Sequence, residues 1–165
     1  MPSPNVYVSI EAWECLSSGT PPKYNDRAHM NTEVRKMPKK EIVSTDKAPR
    51  PIAPISQATR FGQLVFTAGM GGRDPKTGQL AGPDVQSQAR QIFENMNAVL
   101  EAAGTSLANV LKLTCFLSDI NDMKAFNEVF TSYFPDNRPA RTGVQVAKLG
   151  AGMVVEIEAI ACIPD

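Results

Sequence analysis

Residues 84–117 read DVQSQARQIFENMNAVLEAAGTSLANVLKLTCFL, and this stretch decides the fold. Its first part places apolar side chains at the i, i+3, i+4 and i+7 spacing of a helix that buries one face. Asp84 is a favourable N-cap for that helix, and Gly104 stands where a helix end prefers glycine. The part from Leu111 to Leu117 alternates between apolar and polar residues, as a half-buried strand does. A long amphipathic helix that leads into a strand predicts helices packed on a sheet.

The segments on either side extend this pattern. The further predicted elements are strands at residues 41–44, 57–61, 63–70, 141–146 and 154–161 and a second helix through Phe126, Phe130 and Tyr133 that ends before Pro135. The order along the chain is therefore β-β-β-α-β-α-β-β. This order predicts an α+β domain in which two helices cover one face of a mixed sheet.

Residues 1–36 differ from the rest of the chain, because prolines and glycines interrupt them and neither the helical nor the strand period persists. They predict a flexible N-terminal extension, and residues 37–165 predict the folded domain. The alternative is an arm that docks on the domain through Val6, Val8, Ile10 and Trp13.

Length and charge exclude several classes of protein. The chain has 165 residues, of which 42% are hydrophobic, and this suffices for one domain with a good core. Its 17 basic and 17 acidic residues balance, which argues against a nucleic-acid-binding protein, since such proteins need a basic surface. No apolar run is long enough to span a membrane, and the N-terminus lacks the order of a secretory signal.

Histidine and cysteine usage narrows the chemistry. His29 is the only histidine, and Cys15, Cys115 and Cys162 do not show CxxC spacing. Catalytic triads and most zinc sites need a placed imidazole or several thiolates, so we predict neither a nucleophilic triad nor a metal site. The odd number of cysteines favours buried thiols in a reducing compartment.

One arginine and one glutamate in the last two predicted strands are the best candidates for a site. Arg141 begins the first of these strands, and Glu156 follows fifteen residues later on the second, on the same face as Glu158. Charged groups among Val, Ile and Ala are costly unless they are paired or used. A guanidinium suits a substrate carboxylate, which it can hold through two parallel hydrogen bonds, and Glu156 could then hold or deprotonate a water.

Each candidate also has a plain structural explanation. Arg141 could be a strand-edge cation that is paired with a nearby acid, and Glu158 is better explained as a salt-bridge partner at a subunit contact. The glycines Gly69, Gly71 and Gly72 lack the order of a phosphate-binding loop and indicate a tight backbone. Asn127 lies one residue beyond Phe126, and spacing alone gives no reason to choose it.

Several motifs in the same order resemble the Rid (YjgF) family of imine deaminases. The strongest is Pro139-Ala140-Arg141, followed by the strand Glu156-Ile157-Glu158-Ala159-Ile160-Ala161. Also similar are the proline-bearing loop at 48–54, the strand end Phe66-Thr67-Ala68-Gly69, the turn at 74–78 and the helix start at 119–122 with Phe126-Asn127. The resemblance covers most of residues 40–163 and leaves out residues 1–36.

The resemblance implies a chorismate-mutase-like fold that assembles as a homotrimer, with the sites in clefts between neighbouring subunits. It implies hydrolysis of reactive 2-imino or enamine acids to 2-keto acids and ammonia, without a cofactor. By this likeness Arg141 binds the substrate carboxylate and Glu156 positions the water. Asn127 lies beside the pocket, which is lined by backbone near Gly69 and Gly143.

The chain departs from the pattern of the best-known family deaminases at four positions. Ile55 replaces a tyrosine, Ala68 a serine, Met70 a glutamine and Gly143 a cysteine. These changes predict a less polar pocket, and Ile55 would contact the substrate. A bulkier or more apolar imine, or poor activity on small imines, would follow.

Two other functions remain open at this stage. The arginine clefts could bind keto or amino acids without turnover, as a regulatory or chaperone-like module. RNA cleavage is an activity for which relatives are often named. The zero net charge and the lack of a histidine acid–base pair disfavour it for this chain. The expected compartment is the cytoplasm, with an organelle such as the mitochondrion as the alternative.

Overall fold

The computed structural model of this chain describes residues 37–150 and 152–164. Within that part the predicted α+β fold is confirmed, as a mixed sheet with two α-helices on one face. The elements are β1 Lys40–Val43, β2 Ala58–Phe61, β3 Leu64–Thr67, β4 Met70–Gly71, α1 Val85–Ala102, β5 Val110–Leu117, α2 Met123–Tyr133, β6 Ala140–Gln145 and β7 Val155–Cys162. The predicted extension over residues 1–36 lies outside the described residues.

The sheet has the strand order β1-β2-β3-β7-β5-β6, and β4 also pairs with β7. The β5–β6 pair is parallel and the other pairs are antiparallel. Helix α2 makes the crossover between the two parallel strands, as parallel pairing requires. The last two strands of the chain are therefore separated by β5 and do not hydrogen-bond to each other.

The core lies between the helices and one face of the sheet. The Asp84 side chain accepts a hydrogen bond from the Ser87 amide at 2.8 Å, which confirms the predicted N-cap of α1. The inward stripe of α1 is fully buried: Ala89, Ile92, Phe93, Met96, Val99 and Leu100. It packs on the alternate buried residues of β5 and β7, and the Phe93 ring lies 6.3 Å from that of Phe126 on α2. Burial of these apolar faces is the main stabilising term.

The prediction of one continuous strand over residues 63–70 was wrong, because two separate strands occupy this stretch. Strand β3 pairs with the C-terminal end of β7, and β4 pairs with Ile157 and Glu156 near its start. A Cβ added to Gly72 would lie 2.6 Å from the Cα of Gln88, so the chain passes directly beneath α1 here. The break at Ala68 and Gly69 brings this backbone next to Glu156.

No helix within residues 37–150 and 152–164 has the length and apolar composition needed to cross a bilayer.

Candidate functional site

Arg141, at the start of β6, lies over the aromatic rings of α2. The guanidinium carbon is 4.4 Å from the ring centroid of Phe130 and 5.4 Å from that of Phe126. Its Nη2 donates a hydrogen bond of 2.7 Å to Oδ1 of Asn127. Stacking on two rings and one short hydrogen bond fix the plane of the guanidinium.

The β5–α2–β6 crossover explains why Asn127 and Arg141 meet. Phe126 and Phe130 are buried on the core side of α2, and this side of the helix faces Arg141 at the start of β6. Asn127 is only half-buried, and its amide turns toward the arginine instead of the solvent. Helical spacing gives no reason to choose Asn127 as a site residue, and it was predicted from the family resemblance alone.

Arg141 retains a hydrogen-bond donor that the protein does not satisfy. Its Nη1 is buried and has no hydrogen-bond partner within the described chain. No carboxylate of residues 37–150 or 152–164 forms a salt bridge with Arg141. An unsatisfied buried donor is costly and calls for an explanation, and an acceptor supplied by a ligand is one.

A cavity of about 470 Å³ lies beside this arginine. Its lining residues are Asn127, Phe130, Thr131, Arg138, Pro139 and Arg141. Arg138 is held by the backbone carbonyls of Phe134 and Pro135, at 3.3 and 3.1 Å. The cavity therefore presents two guanidinium groups, both fixed, and its charge suits an anionic ligand.

The thiol of Cys115, on β5 next to β6, is not a nucleophile at neutral pH. Burial raises its pKa to about 12, although the positive charges of Arg141 and Lys112 act in the opposite direction. A protonated, buried thiol has a structural role in the core. The buried position agrees with the sequence, which predicted buried thiols.

Glu156 belongs to a second cavity, of about 390 Å³. Its carboxyl group packs directly on Gly69, because a Cβ placed on that glycine would lie 3.0 Å from Cδ of Glu156 and closer to Oε1. Ile55 lines the same cavity and is 57% exposed. Three of the predicted site residues are therefore together here.

Buried amide side chains hold the walls of this second cavity. The Gln57 side chain bonds to backbone of Thr45, Ala48 and Pro49, and so fixes the proline-bearing loop. Gln88, fully buried in α1, bonds to Gly152 O at 3.2 Å and Val154 N at 2.9 Å. These bonds fix the backbone on both sides of Met153, another lining residue. The sequence does not distinguish these amides from surface polar residues, because only their burial in the folded chain sets them apart.

A single chain does not bring Arg141 and Glu156 together. Arg141 is opposite Leu113 of β5, and Glu156 is opposite Phe116. Leu113 and Phe116 are three residues apart on one strand, so their partners lie on opposite faces of the sheet. The predicted site is thus divided into an arginine half, with Asn127, and a glutamate half, with Gly69 and Ile55.

Gly143 lines neither of these two cavities. A Cβ added to Gly143 would lie 2.5 Å from the methyl carbon of Met123, so the start of α2 covers Gly143 on the core side of the sheet. Its predicted part in lining the pocket stays a prediction. Among the described residues, no three His, Cys, Asp or Glu side chains are grouped so as to hold a metal ion.

Comparison with known proteins finds relatives that cover most of this chain. The family model described as endoribonuclease L-PSP matches residues 45–163. A RutC family protein of Pyrococcus horikoshii is 48% identical over 122 residues, which are 74% of this chain and 97% of that protein. The human protein named 2-iminobutanoate/2-iminopropanoate deaminase is 43% identical over 122 residues, which are 74% of this chain and 89% of the human protein.

Solved structures share the fold. The crystal structure of E. coli TdcF with bound serine superposes with a TM-score of 0.70 at 41% identity, over 74% of this chain and 98% of that one. The fold is thus the chorismate-mutase-like α+β fold of the L-PSP and Rid proteins. The chain belongs to the Rid (YjgF) family, for which endoribonuclease L-PSP is another description.

Proposed function

We propose that the protein hydrolyses 2-imino acids to 2-keto acids and ammonia, in a site assembled from two copies of the chain. The single observation that carries the proposal is Arg141, fixed on two aromatic rings and by Asn127, with a buried Nη1 that lacks an acceptor. A carboxylate would supply that acceptor and neutralise the charge. Relatives at 43% identity carry the name of this activity, and one solved relative holds serine, a ligand with a carboxylate.

The division of the site supports assembly through the sheet. On the face away from the helices, Ile42, Thr59, Phe66 and Ile160 form one continuous row across four strands. Ile42 is 69% exposed and Phe66 is 40% exposed in the single chain. This row is apolar except for Thr59, and such a surface on a sheet face favours burial against another copy of the chain. In the proposed homotrimer, the arginine half of one subunit faces the glutamate half of its neighbour.

The proposed reaction needs one positioned acid–base group. Arg141 holds the carboxylate and thereby orients the C2=N bond. Glu156 accepts a proton from water as the water oxygen bonds to C2, and it passes this proton to the imine nitrogen, which becomes the amine of a tetrahedral intermediate. The hydroxyl group of this intermediate then gives its proton to Glu156, which passes it to the amine. The C–N bond breaks, neutral ammonia leaves, and the ketone forms.

An imine carbon is already electrophilic, so water can attack it without a covalent intermediate on the protein. This chemistry fits a chain whose described residues offer no histidine and whose Cys115 thiol stays protonated. Positioning and one proton shuttle supply the rate enhancement. The proposed reaction accordingly uses no cofactor.

A second candidate, binding without turnover, is favoured by the apolar character of the glutamate half. Ile55 and Ala68 line it and offer no hydroxyl to the ligand. In that case the arginine half would bind keto or amino acids, and the assembly would act as a regulatory module.

The test of the proposed function couples a threonine dehydratase to the purified protein and follows the release of keto acid and ammonia. We expect the wild-type chain to accelerate release and Glu156→Gln to leave it near the uncatalysed rate. Equal release with and without the wild-type protein, combined with measurable binding of a keto acid, would favour the regulatory module. A nuclease-free preparation incubated with RNA provides the control for the ribonuclease reading.

Gly69→Ala tests whether the position of the Glu156 carboxylate matters. The new methyl group would displace the end of a flexible side chain, so we expect about a tenfold or greater loss of kcat with little change in Tm. Gly72→Ala is the matched comparison, since its methyl group meets the α1 backbone, which cannot move freely. That variant should lose about 1–3 kcal/mol of stability. Full activity in Gly69→Ala would contradict the assigned role of Glu156.

A further inference from the structure

The cavity beside Arg141 carries two positive charges and no acid. Its lining from the described chain includes two arginines, one asparagine and one threonine, and contains neither Asp nor Glu. No carboxylate of residues 37–150 or 152–164 forms a salt bridge with Arg141 or Arg138, although Asp136 is only two residues from Arg138 along the chain. Two guanidinium groups therefore line one cavity without a counterion from the described chain.

The fold uses only part of the Arg138 guanidinium. Its Nε and Nη2 donate to the carbonyls of Phe134 and Pro135, and its Nη1 has no hydrogen-bond partner within the described chain. The two bonds hold the guanidinium beside the cavity, so a ligand that binds it loses little affinity to side-chain ordering. Arg138 is exposed, and a ligand can reach it from solvent.

Asn127 and Thr131, one turn apart on α2, add neutral donors to the same cavity. Asn127 uses its Oδ1 as the acceptor for Arg141, and its Nδ2 makes no hydrogen bond within the described chain. The hydroxyl of Thr131 is likewise free of partners from that part of the chain. A carboxylate has two oxygens and one charge, so it would leave one guanidinium without a counterion. A phosphoryl group has three oxygens and close to two charges.

From this donor set we infer that the cavity beside Arg141 binds a phosphoryl dianion, either inorganic phosphate or the phosphate group of a monoester. The dianion neutralises both guanidinium groups, and the volume of about 470 Å³ is ample for it. Because it occupies Arg141, it excludes the substrate carboxylate, and a rise in its concentration slows imine hydrolysis. The binding site stands apart from the proposed function, and only this competition rests on it.

The test compares two ligands of nearly the same shape and different charge. Methylphosphonate and methanesulfonate both carry three oxygens and a methyl group, but at mildly alkaline pH the phosphonate is largely a dianion and the sulfonate a monoanion. Each is titrated into the purified wild-type protein in a calorimeter at constant ionic strength, because salt screens such contacts. We expect methylphosphonate to bind about tenfold more tightly, since its second charge pairs with the second guanidinium. Equal affinities would overturn the inference.

Inorganic phosphate and glycerol 3-phosphate distinguish the two sources of the dianion in the same titration. Tighter binding of inorganic phosphate would identify the free ion as the ligand, and tighter binding of the ester would identify a phosphorylated metabolite. Binding of neither would overturn the inference.

Arg138→Gln should weaken methylphosphonate binding about tenfold and methanesulfonate binding much less, so that the preference for the dianion is lost. Arg60→Gln is the matched control, because Arg60 also donates through Nε to a backbone carbonyl but lines neither cavity. It should keep the wild-type preference. A full preference in Arg138→Gln at wild-type Tm would overturn the inference, and the wild-type titrations decide it if that variant folds poorly.

Steady-state kinetics separate this inference from the proposed function. Methylphosphonate should raise the KM for an imine formed in place and leave kcat unchanged. A lowered kcat at constant KM would overturn the placement of the dianion on Arg141. If no imine is hydrolysed, the proposed function fails, and the calorimetric preference still decides whether the dianion site exists.

Discussion

Replacement of Arg141 by lysine is expected to lower kcat/KM on 2-imino acids by roughly a thousandfold, because a buried charge-assisted contact is lost. The lysine side chain is shorter than that of arginine. Its ammonium group cannot hold a carboxylate through two parallel hydrogen bonds, and it lacks the planar surface that a guanidinium presents to the Phe130 ring. Its Nζ would also lose the geometry of the 2.7 Å contact with Asn127. The measurement is steady-state hydrolysis of an imine formed in place, with a thermal denaturation scan of each variant.

Arg60→Lys is the matched control for this change. Arg60 is also a half-buried arginine on a strand, and its Nε donates to Gly62 O at 2.9 Å, but it lines neither cavity. It should retain wild-type kcat/KM. If Arg141→Lys and Arg60→Lys are equally active at equal stability, the guanidinium does not bind the substrate and the proposed function fails.

Mixed assemblies of two inactive variants are expected to recover activity. Arg141→Ala removes the arginine half and Glu156→Gln disables the glutamate half, which lie on opposite faces of the sheet. In a trimer that contains both variants, one of the three interfaces should combine an intact Arg141 with an intact Glu156. Recovery from near zero to about a third of the wild-type rate is therefore predicted.

Subunit exchange is achieved by co-expression with two different affinity tags, and only doubly tagged assemblies are assayed. As controls, each variant is co-expressed with itself under both tags, and these assemblies should stay inactive. A doubly tagged assembly that remains inactive would show that the two halves do not meet between copies. Wild-type protein that elutes as a monomer in size-exclusion chromatography would refute assembly of the site from two copies more directly.

Local patterns determined most of the secondary structure. The α1 helix follows from a repeated apolar stripe, an Asp84 cap and Gly104 beyond its end, and all three are present in the structure. The alternation in β5 and β7 likewise matches their buried and exposed residues. Such patterns are readable because helix and strand periods depend on the chain itself.

The break between β3 and β4 shows where local reading failed. Residues 63–70 alternate well enough for one strand, but Gly72 must pass beneath α1, so the chain leaves the β3 line at Ala68. That constraint comes from a helix further along the chain, and no short window contains it. The buried amides of Gln57 and Gln88 were missed for the same reason, since their partners are distant backbone groups.

The sequence alone determined the α+β order and the buried face of α1, and through resemblance it predicted Arg141, Asn127 and Glu156 as site residues. Only the tertiary structure showed that Arg141 and Glu156 stand on opposite faces of the sheet, in two separate cavities. Spacing along a chain fixes the face of a residue within its own strand, because side chains alternate. It does not fix which strand lies between two others, and here the insertion of β5 between β6 and β7 separated the two halves of the site.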